Sequence, residues 1–171
     1  MSAAPGISIR RATPSDAGGV AAVLNDVIAG GRHSLLDTPF TVAEERAYIE
    51  ALPERSFIHV AETAGDILGF QTVIPWNTFA THEFDHVATM GTYVDERQRR
   101  RGVGAALAIE SFAAALKLGY EKIFTDLRAD NLDSLGYHLA LGFTIVGAAR
   151  RHARVAGRDI DVVFIERFLK G

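Results

Sequence analysis

The stretch from Val94 to Leu107 constrains the fold of this chain more than any other part of the sequence. An apolar run over residues 87–94 ends in a charged turn, and Gly102 and Gly104 then open an Ala/Leu-rich helical pattern. This order predicts a strand, a glycine loop and a helix N-terminus in direct succession. The unpaired N–H groups and the positive end of the helix macrodipole at such an N-terminus favour a phosphate.

The loop is also basic, which narrows the kind of ligand it suits. Arg99, Arg100 and Arg101 surround the glycines, and a glycine lets a ligand oxygen approach the backbone closely. A P-loop is excluded because no lysine follows Gly104, and a dinucleotide-binding fingerprint would need a third glycine where Leu107 stands. The sequence therefore predicts a pyrophosphate site, with a plain strand-to-helix turn and solvated arginines as the alternative.

Length and composition indicate one globular domain over residues 1–171, with a net charge of −3 and no cysteine. The negative charge argues against a general nucleic-acid or membrane-surface binder. The lack of cysteine excludes disulfides, thiolate metal sites and a cysteine nucleophile, and no His/Asp/Glu set has metal-ligand spacing. The N-terminus lacks the pattern of a secretory signal, and the longest apolar segment is too short to span a bilayer. We therefore expect a cytoplasmic protein without a metal cofactor.

Strand and helix patterns alternate from end to end, without repeats or linkers. The early part reads as a meander and the later part as a βαβ unit, so we expect a mixed sheet with helices on both faces. Strands are predicted at 7–10, 57–61, 67–73, 87–94, 122–127, from 142 and at 160–168, and helices from 13, 41, 103 and 131.

Two motifs resemble one known family. The Arg-x-x-Gly-x-Gly spacing at 99–104 resembles the acyl-CoA loop of the GCN5-related N-acetyltransferases (GNAT). The segment from Asn131 to Phe143 is similar to the Asn-x-x-Ser/Ala…Tyr-x-x-x-Gly-Phe segment of the same family, at the expected distance. With residues 157–163, which resemble the last hairpin, the resemblance covers nearly the whole chain. It is nearest to the phosphinothricin and methionine sulfoximine acetyltransferase-like branch.

The resemblance implies the α/β GNAT fold, with a mixed, mostly antiparallel sheet of about seven strands splayed at strands 4 and 5 and helices on both faces. The pantetheine arm of acetyl-CoA would lie in that opening against the backbone of Tyr93 and Val94. Asn131 would bond the pantetheine with Ser134 nearby, although a plain helix N-cap is the alternative for Asn131. The pyrophosphate would lie on N–H groups of Arg99, Arg100, Arg101, Gly102, Val103, Gly104 and Ala105.

At the catalytic positions implied by the resemblance, this sequence departs from the family's pattern. The tyrosine that protonates the leaving thiolate is replaced by His138, and Tyr137 points about 100° away around the helix. His138 could act as the acid or only pack beside the sulfur. The branch's glutamate, a candidate base five residues before Val94, falls on Thr89, which can hold a water but cannot deprotonate an ammonium. His86 is expected on the opposite face of that strand, and no base stands out.

The resemblance also indicates an acceptor site and a reaction. We expect acetyl transfer to a small-molecule amine by direct attack in a ternary complex, in a chain that could form a homodimer. The alternatives are a non-catalytic acyl-CoA-binding module, a protein N-terminal or lysine acetyltransferase, and a nucleic-acid- or anion-binding protein. The basic run 150–154 is expected to be a solvated face or dimer edge, or to hold an acceptor carboxylate. The expected acceptor walls are His33, Phe40, Trp76, Phe79, His82 and Tyr93.

Overall fold

The computed structural model describes residues 6–77 and 81–170. Within these ranges the chain forms seven strands and four α-helices, with short 3-10 turns at Pro14–Asp16 and Glu96–Gln98. The strands are β1 (Ser8–Arg11), β2 (Phe57–Thr63), β3 (Asp66–Pro75), β4 (Val87–Val94), β5 (Lys122–Arg128), β6 (Thr144–Val155) and β7 (Arg158–Phe168). The helices are α1 (Ala17–Ala29), α2 (Val42–Glu50), α3 (Val103–Lys117) and α4 (Leu132–Ala140).

The strands form one sheet in the order β1-β2-β3-β4-β5-β7-β6. Neighbouring strands are antiparallel except β4 and β5, which are parallel. The parallel pair is joined at two positions, Val87 with Lys122 and Ala88 with Ile123. Beyond these pairs the two strands separate, and β4 continues towards the glycine loop without a ladder to β5. The predicted mixed sheet with a splay at strands 4 and 5 is confirmed.

Helices cover both faces of the sheet, as predicted. On one face α1 and α2 pack against Ile58, Val60 and Phe70. On the opposite face α3 and α4 pack against Val73 and Met90. The alternation of inward and outward side chains along β2 and β3 places these two sets on opposite sides. In the part of the chain that the structure describes, no helix has the length and apolar character needed to cross a membrane.

Local signals locate most elements, although several of the predicted ends differ from the observed ones by a few residues. Thr41 caps α2 by accepting a hydrogen bond from the Glu44 N–H at 3.2 Å, which confirms the predicted capping box. The sixth strand is predicted from residue 142, but Phe143 is buried in the core and β6 begins at Thr144. The last strand begins at Arg158, two residues before the predicted start, because the turn after Val155 brings these two residues into register.

Because the imidazole of His59 is buried, we expect acid to destabilise the fold. Its Nδ1 atom lies 2.9 Å from the Oγ of Ser111, and burial lowers its pKa to about 4. The unfolded chain therefore binds more protons below pH 6.5, and stability is lost as the pH falls towards 4. We expect urea unfolding to show a loss of about 2 kcal/mol over this window that His59→Gln removes.

The matched control for this prediction is His82→Gln, at an exposed position. This variant should keep the pH dependence of the wild-type unfolding free energy. An equal slope in wild type and His59→Gln would show that other groups cause the acid sensitivity.

Candidate active site

The backbone register shows which groups of β4 face the opening. The Trp76 N–H donates to the Val87 carbonyl at 3.1 Å, and the Asp95 N–H donates to the Leu68 carbonyl at 3.0 Å. Odd-numbered residues of β4 therefore direct their backbone groups towards β3. The backbone groups of even-numbered residues of β4 point towards β5 and so into the opening.

Two of these inward carbonyls already have side-chain donors. The Thr125 hydroxyl donates to the Met90 carbonyl at 2.9 Å, and the Arg99 Nε donates to the Val94 carbonyl at 3.4 Å. The N–H groups of Thr92 and Val94 also point into the gap. Backbone groups without a strand partner in a polar cleft need a hydrogen-bonding ligand or water. The opening can thus accept an extended, amide-bearing chain.

The glycine loop places the N-terminus of α3 at the end of this opening. Gly102 has a φ of +84°, a left-handed conformation that a Cβ would strain, and α3 begins at the next residue. The first helical hydrogen bond runs from the Ala106 N–H to the Gly102 carbonyl at 2.9 Å. The N–H groups of residues 103–105 are therefore free of intrahelical partners and available to an anion.

The three loop arginines differ in their surroundings. Arg99 is half-buried and reaches back to β4, whereas Arg100 and Arg101 are exposed. Of the three, Arg99 is thus the one positioned beside the opening. It also lines a small cavity of about 80 Å³ with Asp26, Arg32, His33 and Glu96.

Asn131 joins three parts of the structure. Its Oδ1 accepts a hydrogen bond from the Ser134 N–H at 3.1 Å and so caps α4. Its Nδ2 donates to the His33 carbonyl at 3.3 Å, in the loop after α1. The side chain is buried, and these bonds tie the end of β5 to that loop. The cap that sequence offered as an alternative role is present in the structure.

His138 is held as a neutral imidazole. It is 6% exposed, and its ring lies edge-on to Phe143 with centroids 5.1 Å apart. Its Nδ1 lies 2.7 Å from the Ser134 carbonyl, which can only accept, so the Nδ1 carries the proton. Burial lowers the pKa of His138, and the bond to Ser134 partly opposes that shift. The Nε2 atom is consequently a hydrogen-bond acceptor.

An aromatic row lines the other face of the sheet beside the opening. Consecutive ring centroids along this row are 5.2, 5.7, 6.0 and 5.9 Å apart. One ring comes from the segment before β4 and one from the residue that directly follows β3. The others come from β5, β7 and β6, so residues far apart in sequence meet here. The members of the aromatic row are Phe84, Trp76, Phe124, Phe164 and His152.

Comparison with known proteins shows to which family the chain belongs. The profile of the acetyltransferase (GNAT) family matches residues 17–143. This chain belongs to the GNAT family. It is an N-acetyltransferase, and the resemblance to the phosphinothricin and methionine sulfoximine branch is also confirmed by its relatives.

Three similar proteins illustrate this GNAT chain's relationships. It is 27% identical over 161 residues to an L-methionine sulfoximine/L-methionine sulfone acetyltransferase of Pseudomonas paraeruginosa, covering 93% of this chain and 92% of the relative. It is 28% identical over 161 residues to a phosphinothricin N-acetyltransferase of Streptomyces viridochromogenes, covering 94% and 87%. An acetyltransferase structure from Salmonella typhimurium, solved with its cofactor acetyl-CoA, superposes with a TM-score of 0.88 at 21% identity, covering 96% and 95%.

The residues predicted as acceptor walls of the GNAT chain are spread over several environments. Trp76 belongs to the aromatic row, and Tyr93 stacks on Phe70 with ring centroids 4.9 Å apart. Phe40 packs into the core under α1, and His82 is exposed beside Asp85. His33 contacts the α4 cap, and Phe79 lies outside the described residues. In the basic run, His152 joins the aromatic row while Arg154 pairs with Asp159 at 2.8 Å.

Tyr137 has a structural role at the glycine loop that sequence reasoning did not assign. Its hydroxyl donates to the Gly104 carbonyl at 2.8 Å and so ties α4 to the first turn of α3. A Cβ on Gly104 would lie 3.1 Å from the Tyr137 ring. Burial raises the pKa of Tyr137 to about 12. The available sequence signal was its position next to His138 on the helix. Because neighbouring helical residues point in different directions, Tyr137 faces α3 and does not enter the core.

Arg128 is a second residue that the sequence reading missed. It is 4% exposed and donates to the Gly31 and Ser34 carbonyls at 2.9 and 3.2 Å. The same guanidinium forms a two-bond ion pair with Asp130 at 2.8 and 2.9 Å. It therefore fixes the loop after α1 to the end of β5. A charged residue closing a buried strand, with an acid two residues later, was the available signal.

Proposed function

We propose that this GNAT chain transfers the acetyl group of acetyl-CoA to the amine of a small, amino-acid-like molecule. The observation that carries the proposal is the β4–β5 opening, which has unpaired backbone groups inside it and the aromatic row on one face. A donor and an acceptor can therefore reach the same gap from different sides. Two relatives are named for acetylating methionine sulfoximine and phosphinothricin, which supports an amino-acid-like acceptor.

The residues along the opening fit acetyl-CoA. Inward backbone groups of β4 suit the amides of pantetheine, and the free N–H groups of α3 suit a pyrophosphate. Acetyl-CoA supplies the acetyl group as an activated thioester. We propose that its contacts are Val94, Arg99, Arg100, Arg101, Gly102, Val103, Gly104, Ala105, Asn131 and Ser134, together with the side chain of Tyr93, whose backbone groups face β3.

The residues available support direct attack by the amine on the thioester. The chain has no cysteine, so a cysteine-bound acyl intermediate is excluded. The protein's contribution is then orientation of both reactants, which removes much of the entropic cost of their encounter. Backbone donors at the opening would also stabilise charge on the carbonyl oxygen.

Three side chains receive different parts in this proposal. Neutral His138 accepts a hydrogen bond through Nε2 near the leaving sulfur. Thr89 is paired with Ile74 and lies on the face of the aromatic row, where its hydroxyl holds water or acceptor. His86 precedes β4, is exposed, and receives the Glu121 N–H on its carbonyl at 2.9 Å, so we give its side chain no step.

Replacing His138 tests whether it acts as an acid. We expect His138→Phe to lower kcat less than about 10-fold and to leave the pH profile of kcat unchanged, because a neutral Nε2 has no proton to donate. Steady-state rates across pH 5–9 measure this, with acetyl-CoA affinity as the control. Loss of an ionisation from the profile would instead make His138 the acid.

An acceptor comparison tests the proposed function. Thiol release from acetyl-CoA is measured with methionine sulfoximine, phosphinothricin, the free amino acids, and peptides bearing a free N-terminus or a lysine. We expect turnover with small amino-acid-like amines and little with peptides. A preference for peptides would contradict the small-molecule acceptor, and tight acetyl-CoA binding without turnover on any amine would indicate a binding module.

A further inference from the structure

Asp126 lies on β5 where that strand has left β4. Continuing the register of Val87 with Lys122 and Ala88 with Ile123 places Asp126 opposite Gly91 across the opening. In aligned parallel strands such residues point to the same face. The carboxyl group therefore stands at the edge of the gap, on the side that carries the aromatic row.

Gly91, opposite Asp126, has no side chain of its own, and the Tyr93 ring takes up the space above it. A Cβ there would lie 3.0 Å from Cε2 and 3.3 Å from the hydroxyl of Tyr93, so the Tyr93 side chain leans over this glycine. Burial raises the pKa of Tyr93, and the Asp126 charge adds to that shift. The carboxyl and a protonated phenol thus flank the same small space.

Asp126 is exposed to solvent, and aromatic rings lie beside it on the same face of the sheet. Phe164 of β7 is the direct partner of Asp126, and the Phe164 ring is 6.0 Å from Phe124 and 5.9 Å from His152. Partial burial raises the pKa of Asp126, and His152 opposes the shift. Its carboxylate is consequently more basic than that of a solvated aspartate.

One other carboxyl stands close to this space. Glu45 of α2 is buried and, with Tyr48, contributes to the raised pKa of Tyr93. Burial also raises the pKa of Glu45. It belongs to a helix packed on the sheet, whereas Asp126 belongs to a strand that borders the opening.

We propose that Asp126 binds the ammonium group of the acceptor and removes its proton. This inference rests on the proposed function. Thr89, on the same face of β4, has no group that can accept a proton at neutral pH, and Asp126 supplies one from the neighbouring strand. The aromatic row would hold the apolar part of the acceptor, and its rings favour a cation beside them.

The step balances in atoms and charge. The ammonium gives one proton to the Asp126 carboxylate, and the free amine nitrogen then bonds to the thioester carbonyl carbon. The C–S bond breaks, and the departing thiolate takes the second nitrogen-bound proton to become the thiol. Asp126 returns its proton to solvent, leaving the amide, the CoA thiol and one released proton.

The test is the pH dependence of kcat/KM for the amine in wild type, Asp126→Asn and Asp126→Glu. At neutral pH we expect Asp126→Asn to lower kcat/KM about 100-fold, with unchanged acetyl-CoA affinity. The deficit should shrink as the pH rises, because the free amine then forms without a base. Asp126→Glu should recover part of the rate.

Glu45→Gln is the matched comparison, since it neutralises the other carboxyl. We expect it to keep the wild-type pH profile. A wild-type profile in Asp126→Asn, or loss of the ionisation in Glu45→Gln alone, would overturn the role of Asp126 while leaving acetyl transfer intact. Absence of turnover by the wild-type chain on every amine would overturn the proposed function itself, and this inference with it.

Discussion

Gly104→Val is expected to weaken acetyl-CoA binding at least about 100-fold, or about 2.7 kcal/mol. A valine side chain at this position would cover the free N–H groups at the start of α3. It would also press on the Tyr137 ring, since a Cβ alone comes within 3.1 Å of it. Titration calorimetry with acetyl-CoA measures the loss, and thermal unfolding verifies that the protein is folded.

Gly18→Val provides a matched control for this effect. Gly18 is the second residue of α1, as Gly104 is of α3, and a Cβ at Gly18 meets no atom within 4 Å. The control should bind acetyl-CoA as wild type does. Wild-type affinity in Gly104→Val would mean that the pyrophosphate does not lie on this helix end.

Arg128→Met is expected to lower the free energy of unfolding by about 3 kcal/mol. The substitution keeps an apolar stem but leaves the Gly31 and Ser34 carbonyls without their donor. It also removes the partner of Asp130. Because the loop after α1 loses its tether, KM for the amine should rise as well. Urea unfolding and steady-state kinetics measure the two effects.

The control for this prediction is Arg154→Met. Arg154 is also paired with an aspartate, at 2.8 Å, but the pair is largely exposed. Exposed ion pairs contribute about 0–1 kcal/mol, so this variant should remain close to wild type. An equally small loss in Arg128→Met would show that the buried guanidinium does not hold the loop.

Local signals explain which parts of the site were predictable. Gly102 and Gly104 stand between a strand with its charged turn and a helical pattern, and Asn131 precedes another helical pattern, so the loop and the cap could be located from neighbouring residues alone. The two-pair junction of β4 with β5 could not be derived in that way. It depends on strand register, and only the family resemblance predicted the splay.

The part proposed for Asp126 depends on long-range packing, and the sequence analysis therefore did not single this residue out. Asp126 sits in a strand whose alternation fits an ordinary half-buried pattern. The role that we propose for it depends on the divergence of β4 from β5 and on Gly91 opposite it. Tyr137 and Arg128 act through partners 33 and 97 positions away in sequence, respectively, which no periodicity encodes.

The most direct test of the account follows the acetyl group itself. Acetyl-CoA labelled in its acetyl carbons is incubated with the chain and the best amine of the acceptor panel, and the products are analysed by mass spectrometry. The account predicts one labelled acetyl on the acceptor nitrogen for each thiol released, and none with Gly104→Val. Thiol release without labelled amide, or label left on the protein instead of the amine, would contradict direct transfer.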